Sequence, residues 1–304
     1  MKKLTERQLR AIENWIYSHA RPLEVAKWKL IFDKGSGNDV VTAMQKYQND
    51  DGGFGNGFEA DTLAPESAAI SSAEAIFTAQ DYGLDFQSEW AKKLLHYFEK
   101  TCQNTPSFWT LIPKSIDDYP HPPWLNYSPD TQFSPNPCAG IASALIVYGT
   151  DSQRALGNEI AQKSIDFLNS GDICFGHQTY CLQRLYAALR DVNSNLIDEQ
   201  TTDSMKRRIS ADVCYDKSKW TEYVAQPLDL IDSPASPWYP LVESGVENNI
   251  DYWINSLSDE GCWQNNFSWG VDTDVSRRVS QNWKGYIAVS RVRILRAFDA
   301  VGGN

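Results

Sequence analysis

Histidine is scarce in this chain: there are 4, at positions 19, 96, 121 and 177. None pair at metal-ligand spacing, so no metal centre is expected. The six cysteines, at 102, 138, 174, 181, 214 and 262, contain no Cys-x-x-Cys pair. That excludes a zinc ribbon and a thioredoxin-like site. No Gly-rich phosphate cradle is present, so no cofactor is expected. No run of about 18 apolar residues occurs, so no transmembrane segment is expected. The start, Met1-Lys2-Lys3-Leu4-Thr5-Glu6-Arg7, has no apolar stretch behind its lysines, and no secretory signal is expected. The expected location is cytoplasmic, with reduced and mostly buried thiols. Positive charge is in deficit. Lys and Arg total 28 against 39 Asp and Glu, a net charge of -11, and the pI is about 4.9. Such a protein repels a phosphate backbone, so no nucleic-acid partner is expected. Anionic lipid is disfavoured for the same reason. The charge serves solubility, and a small-molecule substrate or ligand is the expected partner.

What the chain has is aromatic residues and helical periodicity. The 304 residues include 11 Trp and 14 Tyr, which suit both cores and ligand cavities. Leu9, Ile12, Trp15 and Ile16 line one face of a first helix, with Thr5 and Gln8 as its capping box. A second helix begins at Pro22, and a third covers 38–48. Further helices are predicted near 66–82, 87–103, 138–149, 152–169, 177–190, 196–210, 240–256 and 283–300. Pro65 and Glu66 fit a helical first turn, and Asp151-Ser152 fits a cap. No set of alternating strands is visible, although short extended pieces suit the long loops. The expected class is all-α, in one domain spanning 1–304.

Two features recur. A helix-turn-aromatic unit occurs at Asp50-Asp51-Gly52-Gly53-Phe54, at Gly171-Asp172-Ile173-Cys174-Phe175 and at Asp259-Glu260-Gly261-Cys262-Trp263. A Pro-rich loop runs from Trp109-Thr110 to Pro123-Trp124, and again from Trp220-Thr221 to Pro237-Trp238. The loops and the first two turns imply a diverged duplication of about 115 residues. The third turn does not keep that period. Helical hairpins of this kind cannot bury their apolar faces alone and must stack, round a closed ring or along a linear solenoid.

The first turn has the spacing apolar-x3-Gln-x3-Gly-x-aromatic, carried by Met44, Gln48, Gly52 and Phe54. It resembles the Gln-Trp repeat of the terpenoid cyclase and protein prenyltransferase superfamily. The second copy keeps only Phe175; the third keeps Gly261 and Trp263 but has Leu257 in place of Gln. The resemblance implies an α/α toroid of inner and outer helices round a central cavity. It also implies an apolar, isoprenoid substrate inside that cavity. The superfamily's reaction motifs are not reproduced. Asp272-Thr273-Asp274-Val275 departs from Asp-x-Asp-Asp at Val275, and Asp117-Asp118-Tyr119-Pro120-His121 is a distant echo of Asp-Asp-x-x-Asp.

Glu59 and Asp61 follow the first turn directly, ahead of a helix expected to be an inner one. They are candidate acid–base residues. The structural reading makes Asp61 or Thr62 a helix cap. Asp272 and Asp274 hold the equivalent place after the third turn; their structural reading is pairing with Arg277 and Arg278. Trp109, Trp124, Trp238 and Trp269, in or beside loops, are candidate substrate-binding residues, suited to a carbocation or a sugar ring. The blander reading has them pinning loops. His177, after the second turn, is a further binding candidate. Three functions fit: a cyclase-like or transferase-like enzyme on an isoprenoid, a carbohydrate-active α/α-barrel enzyme with paired carboxylates, or a non-catalytic toroid that binds a ligand.

Overall fold

The computed structural model describes residues 1–104, 107–171 and 176–302. Among them are twelve α-helices and one short antiparallel strand pair, so the chain is all-α. The helices are α1 (Glu6–His19), α2 (Pro22–Ile31), α3 (Gly37–Met44), α4 (Ala69–Tyr82), α5 (Glu89–Thr101), α6 (Pro135–Tyr148), α7 (Asp151–Ser170), α8 (Gly176–Asp191), α9 (Glu199–Asp212), α10 (Pro227–Leu230), α11 (Tyr239–Asn255) and α12 (Asp274–Ala297). The strands are β1 (Gln103–Asn104) and β2 (Ser107–Phe108). No helix among the described residues is long and apolar enough to cross a membrane. The chain divides into two compact units. One combines Met1–Ala43 with Ile209–Asn304; the other is Met44–Arg208.

In the central unit, Met44–Arg208, the sequence sorts its helices into two kinds. α6 is rich in Ala, Ile and Leu, and is buried from Pro135 to Ile146 except for Asn136. A helix apolar all round must be enclosed. It packs against α4 and α8, and also against α5 and α7. α5 and α7 are amphipathic and pack on one another. The result is one row of α4, α6 and α8 backed by α5 and α7. Close approach in the row depends on Gly140 of α6, where an added Cβ would meet the Phe77 ring of α4 at 2.4 Å. α7 begins with a capping box at Thr150 and Gln153, one residue ahead of the expected Asp151-Ser152 cap.

In the unit that combines the two ends of the chain, α1, α2 and α12 pack together. The capping box of Thr5 and Gln8 is formed as expected. Leu4 pairs with the last described segment: its N–H donates to Ala300 O at 2.8 Å, and its carbonyl accepts from Gly302 N at 2.8 Å. α10 was not expected from the sequence. The fully buried amide of Asn249 on α11 orders it by accepting from Leu228 N at 2.9 Å and donating to Gln226 at 2.7 Å.

The starts of α4, α6 and α9 each differ from expectation by three residues, and that of α12 by nine. α4 begins at Ala69, not near Glu66, because residues 65–68 bind the Gly-rich turn instead. Pro65 O accepts from Asn49 Nδ2 at 2.8 Å, and Ala68 N donates to Phe54 O at 3.0 Å. α12 begins at Asp274, well before 283, under a capping box formed by Thr273 and Ser276. Its polar first turns hid the start from a reading based on apolar periodicity.

Candidate active site

The site is built on the first Gly-rich turn. Asn49 N donates to Gly53 O at 2.9 Å, and Gly52 N to Asn49 O at 3.0 Å. Gly52 has φ +93°, and a Cβ there would lie 2.3 Å from Lys93 O of α5. Only glycine fits that conformation and that contact. Gln48 secures the turn by donating to Gly52 O and Trp90 O, each at 2.9 Å. Phe54 folds inward and is fully buried. The third turn repeats this geometry in the other unit. Ser258 N donates to Cys262 O at 3.1 Å, and Gly261 N to Ser258 O at 3.0 Å. Gly261 has φ +89° and would place a Cβ 2.3 Å from Ala11 O of α1. Trp263 is buried, and its indole donates to Trp253 O at 2.6 Å. The second turn's Asp172, Ile173, Cys174 and Phe175 lie outside the described residues.

The chain after Phe54 closes on itself. Gly57 N donates to Thr62 O at 2.8 Å and Asn56 N to Ala64 O at 2.9 Å. Phe58 is buried against Phe54, with ring centroids 4.9 Å apart. This loop sets Glu59 and Asp61 side by side and buried, at 8% and 3% exposure. Asp61 N donates to Glu59 Oε2 at 3.1 Å. The Thr62 hydroxyl donates to Glu59 O at 2.9 Å and lies 2.5 Å from Ser71 Oγ of α4. Neither Asp61 nor Thr62 caps α4, whose N-cap is Ala68 with no side-chain cap, so that structural reading is overturned.

Burial pushes the Glu59 carboxyl up from 4.5 to about 8, and the charges of Asp61 and Glu74 push it the same way. Glu74, on α4, is the third member of the cluster, and the sequence reading missed it. Its signal was a carboxylate set between Ala73 and Ala75 in an Ala- and Ser-rich helix that is largely buried. The Glu74 charge also acts on Cys181 of α8, where burial is the main force raising the thiol. Glu74 therefore lies within electrostatic reach of α8. A carboxylic acid that keeps its proton at neutral pH beside further carboxylates is equipped to donate that proton and recover it.

The other candidates are placed as follows. Asp272 and Asp274 are exposed, at 82% and 98%, and both pair with Arg277. This is the arrangement of the structural reading for Arg277. Trp109 is buried and pins its loop, donating to Phe98 O at 3.0 Å. Trp220, its counterpart in the other copy, does the same to Cys214 O at 2.8 Å. Trp124 is 51% exposed, whereas Trp238 is buried at the start of α11. His177 is exposed in the first turn of α8. Within the Asp117–His121 segment, Asp117 accepts from Tyr127 N at 3.2 Å, and His121 contacts Tyr119 O and Asn126, which ties the loop together.

Trp269 is buried in the wall of a groove of about 690 Å³ formed by α1, the loop 264–273 and the start of α12. Asp272 is among its lining residues.

No protein-family model, curated protein or solved structure matches this chain.

Proposed function

We propose that the protein is an acid–base enzyme with an α/α toroid like those of terpenoid cyclases, and that Glu59 is its proton donor. The observation that carries this is the burial of Glu59, Asp61 and the charge of Glu74 around one carboxyl, which rises to about 8. The recurrence of one turn geometry at Gly52 and Gly261, and the row of α4, α6 and α8 backed by α5 and α7, support the toroid.

The substrate class is an isoprenoid, which the resemblance of the Gln48–Gly52–Phe54 turn favours. In the proposed step the Glu59 hydroxyl proton adds to one carbon of an alkene, whose π pair forms the new C–H bond. The other carbon becomes a cation. Loss of a proton from the adjacent carbon to the carboxylate pair of Glu59 and Asp61 restores the enzyme. Aromatic faces beside such a cation lower its energy.

The test is to incubate the full chain with linear prenyl alcohols and diphosphates in deuterated water. Deuterium enters the product carbon skeleton. Glu59→Gln slows that entry by about a hundredfold or more, the range of a general acid. Equal rates in Glu59→Gln and the parent protein, or no turnover of any prenyl substrate, sink the reading.

A further inference from the structure

In the unit formed by Met1–Ala43 and Ile209–Asn304, the groove walled by Trp269 has a chemistry of its own. Its aromatic surface comes from Trp15, Phe267, Trp269 and Trp283. The wall is fixed before any ligand arrives. Phe267 meets Trp283 edge-on at 5.5 Å, and Trp283 meets Tyr286 at 5.3 Å. Asn265 ties the loop to α12 by donating to Ser280 O at 3.2 Å and Ser280 Oγ at 3.0 Å. At the other side, Trp15 stacks on His19 at 5.2 Å, and Gln281 donates to His19 O at 2.7 Å. A wall held this way binds without first ordering itself.

Charge narrows the ligand class. Glu260 and Asp272 oppose Arg277 and Lys284 in the lining, so the formal charges cancel. Arg277 is already engaged by Asp272 and Asp274. The groove therefore has little surplus positive charge for a phosphate, and no surplus of either sign to steer an ion. A purely apolar chain would leave Asn265 Oδ1, which is buried with no hydrogen-bond partner among the described residues, unsatisfied. Planar rings interleaved with hydroxyls and amides match a ligand with a C–H face and a hydroxyl rim.

We propose that this groove is a binding site for a neutral oligosaccharide of a few pyranose rings, stacked on the half-buried Trp283, with the buried Trp269 as the wall beside it. The volume is within the ordinary range for small-ligand sites. The site does not depend on Glu59 for binding.

The experiment is titration of the full chain, followed by tryptophan fluorescence and calorimetry, with maltotriose, cellotriose, xylotriose and chitotriose. At least one sugar binds saturably. Trp283→Ala, at a half-buried position, weakens binding by about tenfold, the value of one good aromatic contact. Trp269→Phe, which keeps a ring and protects folding, weakens it less. Glu59→Gln leaves it unchanged, so failure here and failure of the Glu59 chemistry are read separately. No saturable binding by any of the four sugars, or binding equally tight in Trp283→Ala, overturns the proposal.

Discussion

Glu59 carries its proton at neutral pH because burial and the charges of Asp61 and Glu74 act in one direction. This has a consequence for stability. The folded protein keeps a proton that the unfolded chain releases above its ordinary value of 4.5, so the folded pKa is the higher one. The Glu59 contribution is full at or below that value and is lost as pH rises through about 8. Urea denaturation at a series of pH values should show stability falling across this window, and Glu59→Gln should flatten that part of the curve. Removing one neighbouring charge acts with the opposite sign. Asp61→Asn or Glu74→Gln should move the Glu59 titration toward ordinary values, read by carboxyl NMR. Glu59 and Asp61 were legible in the sequence because they directly follow a turn whose glycine is conformationally forced. Glu74 was not, since its partners come from a loop a dozen residues away. Asp272 and Asp274 looked equivalent by position, yet they face solvent and Arg277, because the chain after the third turn leads into a capped helix rather than a closed loop.

The two turns at Gly52 and Gly261 are the elements that the sequence displayed most openly. Their shared hydrogen bonds follow from Gly at positive φ pressed on a helix backbone. Gly52→Ala and Gly261→Ala should each cost about 3 kcal/mol in thermal or urea unfolding, since each adds strain and a clash with a carbonyl. Survival of either variant at parental stability would contradict this geometry. Gln48→Ala should cost about 1–2 kcal/mol by leaving the Gly52 carbonyl without its donor and cutting the tie between the turn and Trp90 of α5. Gly140→Ala should cost about 1–3 kcal/mol by driving a methyl into Phe77. Helix starts were less legible than helix existence. The Pro65–Ala68 segment has helix-start residues, but its carbonyls and amides serve the turn. α12 has a polar first half, and its apolar spacing becomes regular only later.

At the scale of the molecule, helical periodicity was enough to give the all-α class, because long amphipathic stretches leave little ambiguity. The groove round Trp269 was only partly legible. Its loop tryptophan stood out and Phe267 lies in the same loop, but Trp15 and Trp283 are brought to it by the packing of α1 and α12. The net charge of -11 also has a bulk consequence. Light scattering should rise as pH approaches the pI of about 4.9, where self-repulsion vanishes. The central claim is that this all-helical protein holds one carboxylic acid neutral for proton transfer. The most direct measurement is a carbon-13 carboxyl titration of the full chain, with the Glu59 resonance assigned by its loss in Glu59→Gln. A midpoint near 8 that falls in Asp61→Asn is the predicted result. A midpoint near 4.5, indifferent to Asp61, would contradict the account.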